Sequence, residues 1–268
     1  MKILIIGGGT MGLNYAHSFL RSHIVNEEGL FILEKSVEKA DELRKQQFGT
    51  IYGEPGSFIK LCDLIILAVK PQDTQMLFQD LSHHLDRQQV ILSIMAGVKM
   101  ESIAQALGTR KIIRAMPNLP AQIGSGMTVF TSSDEVTRIE LVTVQNLLNA
   151  SGKTIYVENE DAIDAATAIS GSGPAYVFYI MQSLLEAAQE MGFSQAEADL
   201  LTYQTFRGAI ELYNKFDISF SEWIKKVSSK GGTTEAAIAR FESNQLRKVF
   251  NEGVHQALLR ARDLSKSE

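Results

Sequence analysis

A glycine-rich segment near the start of the chain has the spacing of a phosphate-binding turn. Gly7, Gly9 and Gly12 fit the pattern G-x-G-x-x-G and follow an apolar run from Ile3 to Ile6. In such a turn the first glycine permits a tight bend, the second lets the backbone approach a pyrophosphate, and the third lets helix and strand pack closely. The segment predicts a dinucleotide site whose pyrophosphate would be held by Gly7, Gly9, Thr10, Met11 and Gly12. The alternative is a plain corner between a strand and a helix.

An acidic residue stands where such a site would meet the adenosine ribose. Glu34 ends the second apolar run, 22 positions after Gly12, and a carboxylate there hydrogen-bonds the ribose hydroxyls. A carboxylate also repels the 2′-phosphate of NADPH, and this repulsion favours NADH. However, Lys35 and Ser36 follow directly, and their side chains offer groups that would hold that phosphate. We therefore predict NADPH or NADH as cofactor, with the balance toward NADH, and both Glu34 and Lys35 as ribose-side residues. The alternative for Glu34 is a solvated charge at a strand end.

A second segment, residues 227–238, is a loop of small residues that runs into a helix, and it is suited to binding a carboxylate. Gly231 and Gly232 free the backbone, and the helix that follows offers N–H donors and the positive end of its dipole. Thr233 and Thr234 add hydroxyls. The plainer alternative is that a threonine caps the helix and that the two glycines form only a bend.

Another loop of small residues is predicted from Ser170 to Pro174. It also leads into a helix, and Pro174 suits the first helical position. Close helix packing would demand small residues at these positions as well, so this segment is the weaker candidate for a binding loop.

Other familiar catalytic arrangements do not occur in the sequence. The five histidines have no second ligand at a metal-binding spacing, and no P-loop or nucleophile-elbow motif is present. We therefore expect no metal. The single Cys62 cannot form an internal disulfide, which indicates a reducing compartment.

Composition narrows the class of protein further. The 268 residues are 45% hydrophobic and 21% charged, which is typical of a globular chain and not of a disordered one. With 26 basic and 31 acidic residues the net charge is −5, so nucleic acid and anionic membranes are poor partners. No apolar run approaches the roughly 20 residues that span a bilayer, and the first one is too short for a secretory signal. We expect a soluble, cytoplasmic protein.

The first half alternates short apolar runs with amphipathic stretches, which is typical of a parallel sheet with helices on both faces. The predicted strands are 2–6, 30–34, 64–69, 90–95, 111–115, 127–131 and 153–157. The predicted helices include 11–21, 37–46, 100–107 and 135–149. Asp134 is the expected N-cap of the last of these. The pattern predicts an α/β, Rossmann-type N-terminal domain with a mainly parallel sheet.

Residues that follow the later strands should meet the glycine turn at the carboxyl edge of this sheet. We expect the nicotinamide end to be lined by Ala68, Val69, Lys70, Pro71, Ala96 and Gly97. Asn118 follows another strand, and its amide would hold nicotinamide or substrate. The alternatives are a solvated lysine at Lys70 and a turn residue before Pro120 at Asn118.

After residue 157 the strand signal ends, which predicts a dinucleotide-binding domain over 1–159 and an all-α domain over 160–268. The helix from Pro174 is apolar nearly all the way round. We therefore predict a homodimer, with a higher oligomer left open, in which this helix lies in the interface. Burial inside one subunit is the alternative. Gly192 should end the helix, and Ser194 with Glu197 has the spacing of a capping box.

The order of the motifs is similar to that in pyrroline-5-carboxylate reductases. The resemblance spans almost the whole chain and is carried by residues 7–12, 68–72, 93–97, 114–118, 170–176 and 227–234. The Gly-Gly-x-Thr loop at 231–234 is its most specific part. Three positions differ, because the family usually has proline at Lys230, threonine at Leu119 and asparagine at Thr10.

This resemblance implies reduction of L-1-pyrroline-5-carboxylate to L-proline by hydride from NAD(P)H, the last step of proline biosynthesis. It places the substrate carboxylate on the loop's N–H groups and the catalytic Thr234 hydroxyl on the ring nitrogen. The implied substrate-binding residues are Asn118, Ser229, Gly231, Gly232, Thr233 and Thr234. It also implies that the helical domain of one subunit completes the site beneath the nucleotide domain of another.

Two other functions remain open from the sequence. A β-hydroxyacid dehydrogenase shares the domain layout, but that family's lysine and asparagine in the long helix are Val177 and Met181 here. A protein that only senses nicotinamide nucleotides need not keep a carboxylate-binding loop, whereas residues 231–234 are intact.

Overall fold

The apolar runs of the first half form one eight-stranded sheet in a computed structural model that describes residues 1–46 and 48–265. The strands are β1 (Ile3–Ile6), β2 (Leu30–Leu33), β3 (Thr50–Tyr52), β4 (Leu64–Leu67), β5 (Val90–Ser93), β6 (Ile112–Met116), β7 (Gly126–Ser132) and β8 (Gly152–Tyr156). Their order is β3-β2-β1-β4-β5-β6-β7-β8, and every neighbouring pair is parallel except β6 and β7. The predicted α/β class with a mainly parallel sheet is confirmed.

The central strands are buried on both faces because helices cover both sides of the sheet. Ile3 and Ile5 of β1 belong to one buried cluster, whereas Leu4 and Ile6 belong to another on the opposite face. The covering helices are α1 (Thr10–Arg21), α2 (Val37–Lys45), α3 (Thr74–Ser82), α4 (Met100–Leu107), α5 (Arg138–Asn149) and α6 (Asp161–Ala166). All seven predicted strands are present, with ends that move by at most two residues.

The prediction that Asp134 caps α5 is wrong. The cap is Thr137, whose hydroxyl accepts from the Glu140 N–H while the Glu140 carboxylate accepts from the Thr137 N–H. This reciprocal pair satisfies two N–H groups at once, which moves the start of the helix three residues beyond the predicted one.

The chain divides into one unit of Met1–Ser172 with the segment from Ala257, and a second unit of Gly173–Gln256. The second unit is helical, and its helices are α7 (Gly173–Glu190), α8 (Gln195–Lys215), α9 (Phe220–Val227), α10 (Thr233–Ser243) and most of α11 (Leu246–Leu264). Gly192 has a φ of +97° after α7, and Ser194 forms the predicted capping box with Glu197. Both of these predictions are confirmed.

The predicted loop over Ser170–Pro174 is wrong. Residues Thr167–Gly171 form a π-helical turn, the Ser172 N–H donates to the Thr167 carbonyl at 2.8 Å, and α7 begins at the next residue. The small residues therefore allow a widened helical turn and not an open loop. None of the described helices is long and apolar enough to cross a membrane.

Candidate active site

The carboxyl ends of four neighbouring strands lie level with one another. Ile6 is in register with Leu33 of β2 and with Leu67 of β4, and Leu67 is in register with Ser93 of β5. The segments that leave these strands begin at Gly7, Glu34, Ala68 and Ile94. The sheet therefore brings the predicted cofactor residues of four separate segments to one edge, which is where parallel α/β sheets bind ligands.

The turn after β1 has the form that a diphosphate requires. Gly7 has a φ of +107°, and a Cβ there would lie 2.8 Å from the Ala68 carbonyl oxygen. A Cβ on Gly12 would collide with the Gly7 carbonyl oxygen, whereas one on Gly9 would meet nothing within 4 Å. Two of the glycines are therefore needed for close packing, and the third borders open space where a ligand fits.

Helix α1 begins with its first amides uncapped. Gly9 is the N-cap and provides no side chain, and Thr10 and Met11 are the first two helical residues. The N–H groups of a first helical turn have no partner within the helix. This end of α1 therefore suits an anion, as the glycine spacing predicts.

Glu34 is not the solvated charge of the alternative interpretation. It is only 7% exposed, and its two carboxylate oxygens accept separate backbone hydrogen bonds, from Gly8 at 2.9 Å and from Ser36 at 2.8 Å. It thus fixes the glycine turn against the segment after β2. Each carboxylate oxygen keeps a second lone pair, so the group can also accept from a ribose hydroxyl.

Lys35 is already engaged by a carboxylate. Its Nζ lies 2.7 Å from Oδ1 of Asp73, the last residue of the 3-10 turn Pro71–Asp73 that follows β4. The lysine side chain remains 79% exposed. Ser36 caps α2 by accepting from the Lys39 N–H at 3.4 Å.

The segments predicted to line the nicotinamide follow β4 and β5. The Ala68 N–H donates to the Ile6 carbonyl at 2.9 Å, and Lys70 precedes the 3-10 turn that begins at Pro71. Gly97 has a φ of +79°, and a Cβ there would lie 2.9 Å from Cβ of Leu264 near the C-terminal end of α11. These residues therefore lie in segments held by the sheet and by the last helix, and their contacts with nicotinamide stay a prediction.

Asn118 already makes a contact within the protein. It follows β6, and its amide oxygen accepts from the Met127 N–H of β7 at 2.8 Å. This bond fixes the turn between two antiparallel strands, which agrees with the turn-residue interpretation. A role toward substrate or nicotinamide would fall to its amide N–H groups and stays a prediction.

The loop of the second unit ends at an uncapped helix. Gly232 is the N-cap of α10 and no side chain caps the helix, so the alternative in which a threonine caps it is wrong. The Gly232 N–H donates to the Ser229 carbonyl, and the Gly231 N–H donates to the Glu235 carboxylate at 2.6 Å. The first-turn amides of Thr233, Thr234 and Glu235 are therefore the donors best suited to a carboxylate.

A buried ion-pair network lies behind the carboxyl edge of the sheet, and sequence reasoning missed it. Arg114 of β6 is 1% exposed and contacts Glu160 at 3.0 Å and Asp164 at 2.8 Å. Glu160 also accepts from the Met100 N–H at the start of α4, and Asp164 from the Ser265 hydroxyl. The sequence signal was an arginine inside an apolar strand, together with two acids four residues apart at the start of a later helix.

Thiol and metal chemistry have little support in the described residues. Burial raises the pKa of the Cys62 thiol to about 11, so it is protonated and unreactive at neutral pH. Within 1–46 and 48–265, no three histidine, cysteine or acidic side chains are grouped as metal ligands.

Comparison with known proteins gives matches along the whole chain. A family model for pyrroline-5-carboxylate reductase dimerisation matches residues 160–264, and one for coenzyme F420-dependent NADP oxidoreductases matches residues 2–97. A pyrroline-5-carboxylate reductase of Aquifex aeolicus is 33% identical over 98% of this chain and 97% of its own length. The corresponding protein of Synechocystis is 32% identical over 99% of both chains.

Solved structures agree with these matches. A pyrroline-5-carboxylate reductase of Coxiella burnetii superposes with a TM-score of 0.90 at 32% identity, over 99% of both chains. A Plasmodium falciparum pyrroline carboxylate reductase with NADP bound superposes with a TM-score of 0.89 at 26% identity, over 99% of this chain and 98% of that one.

Proposed function

The chain belongs to the pyrroline-5-carboxylate reductase family, and from this premise we propose that it reduces L-1-pyrroline-5-carboxylate to L-proline with NAD(P)H. This is the last step of proline biosynthesis. The observation that carries the proposal is that one chain has both an open glycine turn before α1 and an uncapped α10 that begins with two threonines. Family membership also decides against a β-hydroxyacid dehydrogenase.

A direct assay tests this function. The purified protein should oxidise NADH or NADPH only when L-1-pyrroline-5-carboxylate is added, with L-proline as the product. Nucleotide binding without turnover would instead support the nicotinamide-sensing alternative.

The chemistry requires little of the protein beyond binding and proton control. When bound, NAD(P)H would supply the hydride that reduces the imine carbon, which is most electrophilic when the ring nitrogen is protonated. The backbone of Gly7, Gly9 and Gly12 would hold the pyrophosphate, and Glu34 the adenosine ribose. Hydride transfer to an imine needs no protein nucleophile and no metal, and Cys62 lies outside this site, buried and unreactive, just before β4.

Substrate binding is proposed for the loop before α10. The substrate carboxylate would accept from the amides of Thr233 and Thr234 at the positive end of the helix. The Thr234 hydroxyl would hydrogen-bond the ring nitrogen and hold its proton in place. The remaining proposed substrate contacts are Asn118, Ser229, Gly231 and Gly232.

Thr234→Ala is expected to lower kcat/KM for L-1-pyrroline-5-carboxylate by about 10- to 150-fold. This is the loss of one hydrogen bond to a charged group, about 1.5 to 3 kcal/mol. Since Gly232 caps α10, removing the Thr234 hydroxyl removes no helix cap. Steady-state kinetics measure the effect, and Thr234→Ser, which keeps the hydroxyl, should retain most of the activity. Unchanged kinetics in the alanine variant would refute the role of Thr234.

We propose NADH as the preferred cofactor because of the position of Glu34. Its buried carboxylate is fixed by two backbone N–H groups and cannot turn away from a 2′-phosphate. Two charges about 4 Å apart interact by about 1 kcal/mol in water and more where burial lowers the dielectric. NADPH therefore meets a repulsion that NADH does not.

Glu34→Gln is expected to raise the ratio of kcat/KM with NADPH to kcat/KM with NADH by about fivefold or more. The substitution removes the negative charge but keeps one acceptor oxygen for the backbone. The matched control is Glu28→Gln, which makes the same change at the opposite end of β2, on an exposed side chain. An unchanged ratio in Glu34→Gln, or an equal change in the control, would contradict the assignment.

We further propose that the chain works as a homodimer, with the domain over 160–268 supplying the interface. Apolar side chains on α7 and α8 are exposed in the single chain, among them Phe178 at 60%, Tyr179 at 74% and Leu200 at 66%. Burying such faces against a second copy removes them from water. In this assembly the helical domain of one subunit would complete the site of the other. The cytoplasm is the proposed location, because the single buried cysteine suits a reducing compartment.

A further inference from the structure

The Lys35–Asp73 ion pair spans the two sides of the glycine turn. Lys35 follows β2 and Asp73 follows β4, and both strands pair with β1, whose carboxyl end carries the turn. The two residues are 38 positions apart in the chain, and only the strand order brings them together. Because Lys35 directly follows Glu34 at the end of β2, the pair lies beside the position where the adenosine ribose of a dinucleotide would bind.

The charges at this edge favour a nucleotide without a 2′-phosphate. Lys35 is the first cation after β2, and its ammonium is bound by Asp73 at 2.7 Å. Glu34, immediately before it, is buried and holds two backbone N–H groups. Two carboxylates thus accompany one ammonium at the place where a 2′-phosphate, with a charge of about −1.5 to −2, would have to bind.

We propose that Asp73 is a specificity-determining residue, which keeps the Lys35 ammonium away from the 2′-phosphate position and so disfavours NADPH. The inference rests on the proposed function in one respect, namely that a nicotinamide nucleotide binds at this turn. Glu34 repels the phosphate directly. Asp73 acts through Lys35, by holding the cation that directly follows Glu34 and would otherwise offset that repulsion.

Removing the Asp73 carboxylate should leave the fold intact. Asp73 is the N-cap of α3, but its side chain makes no capping hydrogen bond. Lys35 is 79% exposed and Asp73 37% exposed, and exposed ion pairs contribute little to stability. An effect of Asp73→Asn on nucleotide affinity can therefore be read without a large change in folding.

The test compares the binding of NAD⁺ and NADP⁺, which differ only in the 2′-phosphate, by calorimetry in the absence of substrate. Asp73→Asn should lower the Kd for NADP⁺ by about three- to tenfold and leave the Kd for NAD⁺ within about twofold. The gain should disappear in the double variant Lys35→Met with Asp73→Asn. It should also shrink between about 0.02 and 0.2 M salt, because screening weakens an exposed charge contact.

Each other result counts against the inference in a distinct way. Equal changes for both nucleotides, or no change, would show that Asp73 does not determine specificity. A gain for NADP⁺ that persists in the double variant would show that Asp73 acts by its own charge and not through Lys35. If the unaltered protein binds neither nucleotide, the proposed function fails and this inference fails with it.

Discussion

Replacing Gly12 with alanine is expected to raise the Kd of both NADH and NADPH by about a hundredfold. The new Cβ would collide with the Gly7 carbonyl oxygen and would lie 3.1 Å from the Ile5 side chain and 3.3 Å from Cβ of Ala68. The Gly7 oxygen belongs to the backbone of the turn, and the buried Ile5 side chain cannot move without disturbing the core. Helix α1 must therefore move off β1, which displaces the amides that would hold the pyrophosphate.

Two further glycine variants make this result specific. Gly9→Ala places its Cβ in open space, so it should cost no more than the roughly 1 kcal/mol of an alanine at a helix N-cap and still weaken binding, because that space is where the phosphates would fit. Gly253→Ala, also in open space but within α11, should leave the Kd of both nucleotides unchanged. Calorimetric titration gives the Kd, and thermal melting gives the stability. Nucleotide binding by Gly12→Ala as tight as that of the unaltered protein would contradict the assignment.

The central strands were predictable because every one of their residues is buried, on whichever face it lies. A strand covered on both faces needs an unbroken apolar run, and β1, β2, β4 and β5 have one or nearly one, whereas β8 at the edge of the sheet is mostly exposed. Strand β3 escaped prediction because it has three residues, of which only Ile51 is buried. The widened turn at Thr167–Gly171 also escaped, since small residues suit a loop and a π-helical turn equally.

Residues of the candidate site were predictable where spacing along the chain alone decides their position in the fold. The glycine turn and the acid at the end of β2 depend on one strand–helix–strand unit, so position alone placed them. The partners of these residues could not be predicted. The Asp73 contact of Lys35 and the Met127 contact of Asn118 depend on which strands are neighbours, and one of those pairs is antiparallel.

Arg114→Met is expected to lower the free energy of unfolding by about 3 to 5 kcal/mol. The arginine is fully buried and is the ion-pair partner of both Glu160 and Asp164, and Asp164 is itself buried. Removing Arg114 leaves the Glu160 and Asp164 carboxylates without a compensating charge. This is far more costly than the loss of a surface ion pair. Chemical denaturation at neutral pH, followed by circular dichroism, measures the change.

Two comparisons distinguish this cost from a general effect of losing an arginine. Arg110→Met removes an arginine that is 81% exposed and lies 3.7 Å from Glu135, so it should cost less than about 1 kcal/mol. Adding Glu160→Gln and Asp164→Asn to Arg114→Met removes the unpaired charges and should restore part of the lost stability. The network also holds the start of α4 through Met100 and the end of α11 through Ser265. If Arg114→Met were as stable as Arg110→Met, the network would not be what fixes these elements behind the site.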